Sequence, residues 1–220
     1  GLFMTSYLMD DFLGENEFFG ASRAIITSAS SKTSMALAKC LAMRNATLDD
    51  AARIRTVGLT SAGRREFVAG LGLYDEVVSY EDIESIDAST PSVLVDMAGD
   101  AEVLSGVHHH LGDSLRYSGQ VGATHWEPMG APADLPGPTP TFFFAPSQLK
   151  RRSDEWGRDA ATERIGAALA EFLEDVPRWI TVEHSAGPEA VERIYLDTLE
   201  GRASASAGHI LSMAPAAFGN

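Results

Sequence analysis

The sequence predicts an α/β protein built on a doubly wound parallel sheet with helices on both faces. Three observations carry that expectation. Predicted strands alternate with predicted helices along nearly the whole chain, the rhythm of βαβ units. The strands read as short continuous apolar runs such as Ser92-Val93-Leu94-Val95-Asp96, the pattern of parallel strands covered on both faces. Residues 24–42 pass from an apolar strand, through a loop of small hydroxyl residues, into a helix.

Residues 1–20 read as an amphipathic helix, with Phe3, Tyr7, Leu8 and Phe12 at helical spacing. Ala24-Ile25-Ile26-Thr27 is the first strand, Ser28 to Ser34 a loop, and 34–43 a helix whose apolar face holds Met35, Leu37, Ala38 and Leu41. Ile54 to Thr60 is the second strand. Ser61-Ala62-Gly63-Arg64-Arg65 opens a helix that closes at Gly70 or Gly72, and Tyr74 to Tyr80 is a third strand. Acidic turns lead to the central strand Ser92 to Asp96, the turn Met97-Ala98-Gly99 and a helix over 100–112. Leu115 to Val121 is the next strand and runs into Gly122-Ala123-Thr124-His125. Residues 126–140, rich in proline and glycine, read as a loop. Thr141 to Ala145 reads as a buried strand with Phe142, Phe143 and Phe144 in the core, and 154–175 as one long amphipathic helix. A strand at Trp179 to Val182, a helix over 187–200 and a strand at Gly208 to Met213 close the chain as a C-terminal α/β return segment.

Composition excludes several function classes. A formal net charge of −14 argues against nucleic-acid backbones and anionic membranes as partners, so an anionic ligand needs local positive features. The single cysteine, Cys40, rules out an intrachain disulfide framework and a thiolate metal site, and it fits a reducing, cytoplasmic compartment. No apolar run reaches membrane-spanning length. His108-His109-His110 falls within a predicted helix, where consecutive residues point in different directions, so no metal site is expected there. A G-x-S-x-G elbow, a P-loop lysine pattern and H-E-x-x-H are all missing from the sequence, which disfavours hydrolase, NTPase and metalloprotease chemistry.

The loop after the first strand carries the positive suggestion. A strand feeding a helix through Ser28, Ser30, Ser31, Lys32, Thr33 and Ser34 leaves free backbone N–H groups at the helix start. Those groups and the helix dipole together suit a phosphate.

An ordered series of segments resembles the cofactor domain of medium-chain dehydrogenase/reductases. The likeness is to the zinc-free quinone-oxidoreductase branch, and is closest to a related family of largely uncharacterised proteins. VGLTSAGRREFVAGLGLYDEVVSYED (57–82), VLVDMAGD (93–100), SGQVGATH (118–125) and LEGRASASAGHILSM (199–213) carry it. The resemblance implies a Rossmann-type fold, a zinc-independent oxidoreductase, and an enone, quinone or other activated carbonyl as substrate. It implies a linking helix at 1–20, a dinucleotide-binding domain at 21–177 and a return segment at 178–220. That segment would pack on an N-terminal barrel-like domain preceding Gly1. It also implies homodimerisation through an edge strand near Thr141 to Ala145. One departure concerns the loop: the family's glycines, spaced three residues apart, are replaced by Ser28, Ser31 and Ser34. A degenerate, non-catalytic module used for protein association is the rival expectation.

Within a dinucleotide fold, a carboxylate at the end of the second strand favours NAD by binding the ribose 2′-hydroxyl. Here that strand ends Thr60-Ser61, with Arg64 and Arg65 beyond. Hydroxyls and guanidinium groups suit a 2′-phosphate, with Lys32 a further phosphate cation, so NADP(H) is the expected cofactor. Arg64 and Arg65 read alternatively as a solvated first helical turn. Asp96 is a candidate ribose contact or a turn-capping carboxylate. Tyr80 and Gly99 are cofactor contacts by the resemblance. Gly122, Ala123 and Thr124 end the fifth strand on the same edge as Asp96 and are candidates to lie along the nicotinamide ribose, and His125 is the candidate for proton transfer.

Overall fold

The structure, a computed structural model, describes residues 1–121 and 134–214. The chain divides into two compact units, Gly1–Phe172 and Leu173–Asn220.

The first unit is built on a parallel six-stranded sheet. In chain order its strands are β1 (Arg23–Ile26), β2 (Arg55–Thr60), β3 (Glu76–Ser79), β4 (Ser92–Asp96), β5 (Leu115–Gln120) and β6 (Thr141–Phe142). They lie in the order β3-β2-β1-β4-β5-β6, the doubly wound order of a Rossmann-type fold with helices on both faces. β1 is central and pairs with β2 from Arg23↔Arg55 to Ile26↔Gly58, and with β4 from Arg23↔Ser92 to Ile26↔Val95. All four β1 side chains are buried, as a strand covered on both faces requires.

Strand alternation sorts those side chains onto two cores. On one face Ile25, Val57, Leu59 and Leu94 pack with Val103, Leu104, Val107 and Leu111 of helix α4 (Ala101–Leu111). On the other lie helix α1 (Leu2–Glu15), which buries Leu8, Met9 and Leu13, and helix α2 (Lys32–Asn45), which buries Met35, Leu37 and Leu41. Arg44 clamps these two helices, its Nε and an Nη each 2.8 Å from the buried Asp10 carboxylate. Helix α3 (Arg65–Gly70) follows a short 3-10 turn, Ala62–Arg64, after β2.

Three expectations are corrected here. The run Thr141 to Ala145 is not a buried strand. Its strand is two residues long, and Phe142 and Phe144 are 54% and 57% exposed, while Phe143 and Ala145 are buried. Alternating side chains point opposite ways, and an edge strand has a partner on one side only. The long helix over 154–175 is two helices, α5 (Ala145–Trp156) and α6 (Arg158–Trp179), separated by Gly157. α5 docks on α1 through charge rather than an apolar stripe: buried Arg152 lies 2.6 Å from Asp11 and 3.1 Å from Glu15. The strand after α6 is β7 (Thr181–Ala186), because α6 continues to Trp179.

The second unit pairs β7 in parallel with β8 (Ala207–Ser212) through helix α7 (Pro188–Leu199). Tyr195, Leu199, Val182 and Ile210 stand exposed on it. Among the described residues no helix is long and apolar enough to cross a membrane.

Candidate functional site

In an open α/β sheet, ligands bind outside the carboxyl ends of the strands where the strand order reverses. That point lies between β1 and β4, and the chain there is tied together by Thr27. Its fully buried hydroxyl donates to Asp96 Oδ1 at 2.7 Å and accepts the N–H groups of Met97 at 2.8 Å and Ala98 at 3.1 Å. Asp96 Oδ1 also accepts the N–H groups of Ala98 and Gly99, at 3.0 and 3.2 Å. Asp96 thus caps its own turn. Its Oδ2 is buried without a hydrogen-bond partner among the described residues.

The serine loop follows. Ser28 sits in the left-handed region at φ 48°, a conformation that costs a residue with a side chain about 1 kcal/mol. Its N–H donates to Tyr80 Oη at 3.0 Å, and the next N–H, of Ala29, donates to the Leu59 carbonyl at 2.9 Å. Tyr74 Oη donates to the Ala29 carbonyl at 3.0 Å. Gly58 makes room for that contact: a Cβ there would lie 2.9 Å from the Tyr74 ring and 3.0 Å from Ala29 Cβ.

Ser31 is the N-cap of α2, its Oγ accepting the Ser34 N–H at 3.1 Å. The Ser31 hydroxyl proton goes to Ser34 Oγ at 2.9 Å, and the Ser34 proton to the Thr27 carbonyl at 2.8 Å. Both protons are therefore used inside the loop, and Ser34 is fully buried. The groups facing outward are the backbone N–H groups of Lys32 and Thr33 in the first turn, where a helix has no i−4 carbonyl to offer. Ser30 is half-buried beside them. α1 steadies this turn, Ser6 Oγ donating to the Thr33 carbonyl at 2.7 Å.

Charge is uneven around the loop. Thr60 ends β2 buried, and Ser61 is exposed at the start of the 3-10 turn. Partial burial, and then the nearby Arg64 guanidinium, lower the pKa of the Lys32 ammonium. Arg64 and Lys32 thus lie near enough for their charges to repel each other. Arg65 turns away, its Nε 3.4 Å from the Val77 carbonyl in a separate cleft with Tyr74, Asp75 and Glu76. On the far side of Tyr80 a cleft of about 730 Å3 is lined by Glu81, Glu84, Asp100 and Glu102, carboxylates that would repel a phosphate.

The structure thus gathers Ser28, Ser30, Ser31, Lys32, Thr33, Ser34, Thr60, Ser61, Arg64, Tyr80, Asp96 and Gly99 at one edge of the sheet and separates Arg65 from them. Gly122, Ala123, Thr124 and His125 lie outside the described residues. Thr27 and Tyr74, which tie the crevice and the loop, carry no local signal in the sequence, because their partners are 69 and 45 residues away.

The three histidines diverge. The carbonyl of Pro136 only accepts, so His108 Nδ1 donates to it at 2.9 Å, and Nε2 takes the Ser118 hydroxyl proton at 2.9 Å. His109 bonds back to the Ser105 carbonyl and His110 to that of Ile86, at 2.9 and 2.6 Å. Among the described residues no three His, Cys, Asp or Glu side chains converge to hold a metal ion.

A Rossmann-type sheet whose crevice opens on a helix N-terminus defines the class of protein. Solved structures share the fold. A protein described as an NADPH:quinone reductase from Mesorhizobium loti aligns with a TM-score of 0.64 at 13% identity, over 96% of this chain and 58% of its own. The YhdH oxidoreductase from Salmonella enterica, in complex with NADP, gives 0.56 at 10% identity, over 96% and 61%. The Bacillus subtilis protein YhfP, with NAD bound, gives 0.55 at 17% identity, over 94% and 60%. The chain thus spans less than two thirds of the length of these proteins. Residues 1–204 match the model of the family described as "Protein of unknown function (DUF2855)", and the chain belongs to that family. No curated protein matches the sequence.

Proposed function

We propose that this chain is the cofactor-binding part of a zinc-independent, NADP(H)-dependent oxidoreductase. The reaction is hydride transfer to or from an enone, quinone or other activated carbonyl. One observation carries the reading: the switch-point loop presents the first-turn N–H groups of a 14-residue helix, flanked by Lys32 and Arg64, in a protein of net charge −14. Structures sharing the fold that hold NADPH, NADP or NAD support it. The residues present fit such a group, which supplies the hydride when bound.

In this reading the Lys32 and Thr33 N–H groups hold the pyrophosphate, since the Ser31 and Ser34 hydroxyl protons are already used. Arg64 and Ser61 take the 2′-phosphate, and no carboxylate ends β2 to claim a ribose hydroxyl instead. The proposed second-domain partner of the return segment, 178–220, would cover the exposed Val182, Tyr195 and Leu199. The self-satisfied serine hydroxyls favour one rival, a nucleotide-free module used for protein association.

Calorimetric titration with NADPH and NADH decides between them. NADPH is expected to bind more tightly. Arg64→Ala should weaken NADPH about tenfold or more, the worth of a hydrogen bond to a charged group, and leave NADH unchanged. Arg65→Ala should alter neither. Tighter binding of NADH, or an Arg64→Ala variant that binds NADPH as the parent does, overturns the NADP assignment. No binding of either nucleotide favours the association module.

A further inference from the structure

We propose that Tyr74 and Tyr80 hold Ser28 in its left-handed conformation, achieving by hydrogen bonding what glycine achieves by having no side chain. The consequence for ligand binding rests on the dinucleotide-loop reading. The brace itself rests only on geometry.

Two peptide planes meet at the Ser28 Cα, and fixing both fixes its φ and ψ. The preceding plane is held at both ends, by the Ser28 N–H on Tyr80 Oη at 3.0 Å and by the Ser34 hydroxyl on the Thr27 carbonyl at 2.8 Å. The following plane is held at both ends, by the Ala29 N–H on the Leu59 carbonyl at 2.9 Å and by the Ser31 N–H on the Ser28 carbonyl at 2.7 Å. The next plane is held by Tyr74 Oη on the Ala29 carbonyl at 3.0 Å. Three successive peptide groups are thus anchored to β2 and to the two ends of β3. Tyr80 supplies the contact to the Ser28 N–H itself, on the φ side, where φ is 48° and a residue bearing a Cβ would otherwise relax to negative φ.

Tyr74 lies two residues before β3 (Glu76–Ser79) and Tyr80 immediately after it, so one strand delivers both hydroxyls to neighbouring positions of the loop. Burial raises the pKa of the Tyr74 hydroxyl, which keeps it a donor. Gly58 is part of the device, since any side chain there would strike the Tyr74 ring. The conformation that sets the course from β1 into α2, and so aims the Lys32 and Thr33 N–H groups, is therefore braced from outside the loop by the two tyrosines as well as from within it by Ser31 and Ser34. This positioning role is separate from any direct contact of Tyr80 with a ligand.

The test combines Tyr80→Phe with Ser28→Gly. Amide exchange is read by NMR in the free protein at Ala29 and Ser31, whose own acceptors neither substitution removes. Tyr80→Phe should speed both amides by about fivefold or more, the scale of one lost hydrogen bond, with Ile25 and Leu94 unchanged. Adding Ser28→Gly should restore them, because glycine adopts the conformation unaided. NADPH affinity should follow the same course: weakened by Tyr80→Phe and raised again in the double variant. Tyr74→Phe provides a second route to the same exchange readout. Unchanged exchange at Ala29 and Ser31 in both tyrosine variants overturns the proposal. So does lost exchange protection that Ser28→Gly fails to recover, since glycine needs no brace to hold the conformation. If the parent protein itself takes up no NADPH, the cofactor reading fails, and the exchange rates alone decide the brace.

Discussion

At the scale of single residues, most of the polar chemistry near the crevice is internal. Thr27, Asp96, Ser31 and Ser34 direct their hydroxyls and one carboxylate oxygen at the backbone and at each other, which offsets the cost of burying those atoms, while Asp96 Oδ2 has no such partner among the described residues. His108 follows the same logic, and its titration can be measured. Burial lowers its pKa below the ordinary value of about 6.5, so the folded state binds fewer protons than the unfolded chain. Its contribution is therefore complete above the unfolded pKa and is lost as the pH falls towards the folded value. Urea denaturation of the parent and of His108→Gln from pH 8 to pH 5 should show the variant less stable at pH 8 by about 1–3 kcal/mol, with the gap narrowing as the solution is acidified. At this scale the sequence made the serine spacing and the absence of a carboxylate after β2 legible. It did not reveal that Arg64 and Arg65 part company, or that Tyr80 meets Ser28. Those depend on contacts formed across 12 and 52 residues, which local periodicity does not encode.

At the scale of elements, strands with continuous apolar runs were readable, β4 to the residue, because burial on both faces leaves little choice of side chain. The region after β5 was not. α5 carries Lys150, Arg151, Arg152, Asp154 and Glu155 and is held to α1 by ion pairs, so it lacks the apolar stripe by which a helix is recognised. Its boundary with α6 is Gly157, at φ 84° and ψ 149°, a region populated almost solely by glycine. Gly157→Ala should cost about 1–3 kcal/mol and lower the melting temperature. Gly166→Ala, within α6 and with nothing within 4 Å of its added Cβ, should stabilise by about 0.5–1 kcal/mol. Differential scanning calorimetry of the two variants should therefore show shifts of opposite sign. Equal and favourable shifts would mean that the chain runs through Gly157 as continuous helix.

At the scale of the whole molecule, strand order places β1 and β4 side by side at the switch point, and the doubly wound parallel class was legible from alternating strands and helices. A strongly acidic chain then gains an anion site only where backbone N–H groups and a few cations outweigh the global field. The proposed function puts such a site at the first turn of α2, with Lys32 and Arg64, whereas the clefts beside Tyr80 and Arg65 are lined by carboxylates. Hydrogen–deuterium exchange with and without NADPH tests this most directly. Slower exchange confined to Ser28–Thr33 and Ser61–Arg64 is the predicted result. Unchanged exchange there at saturating NADPH, or protection centred instead on β7, α7 and β8, would contradict it.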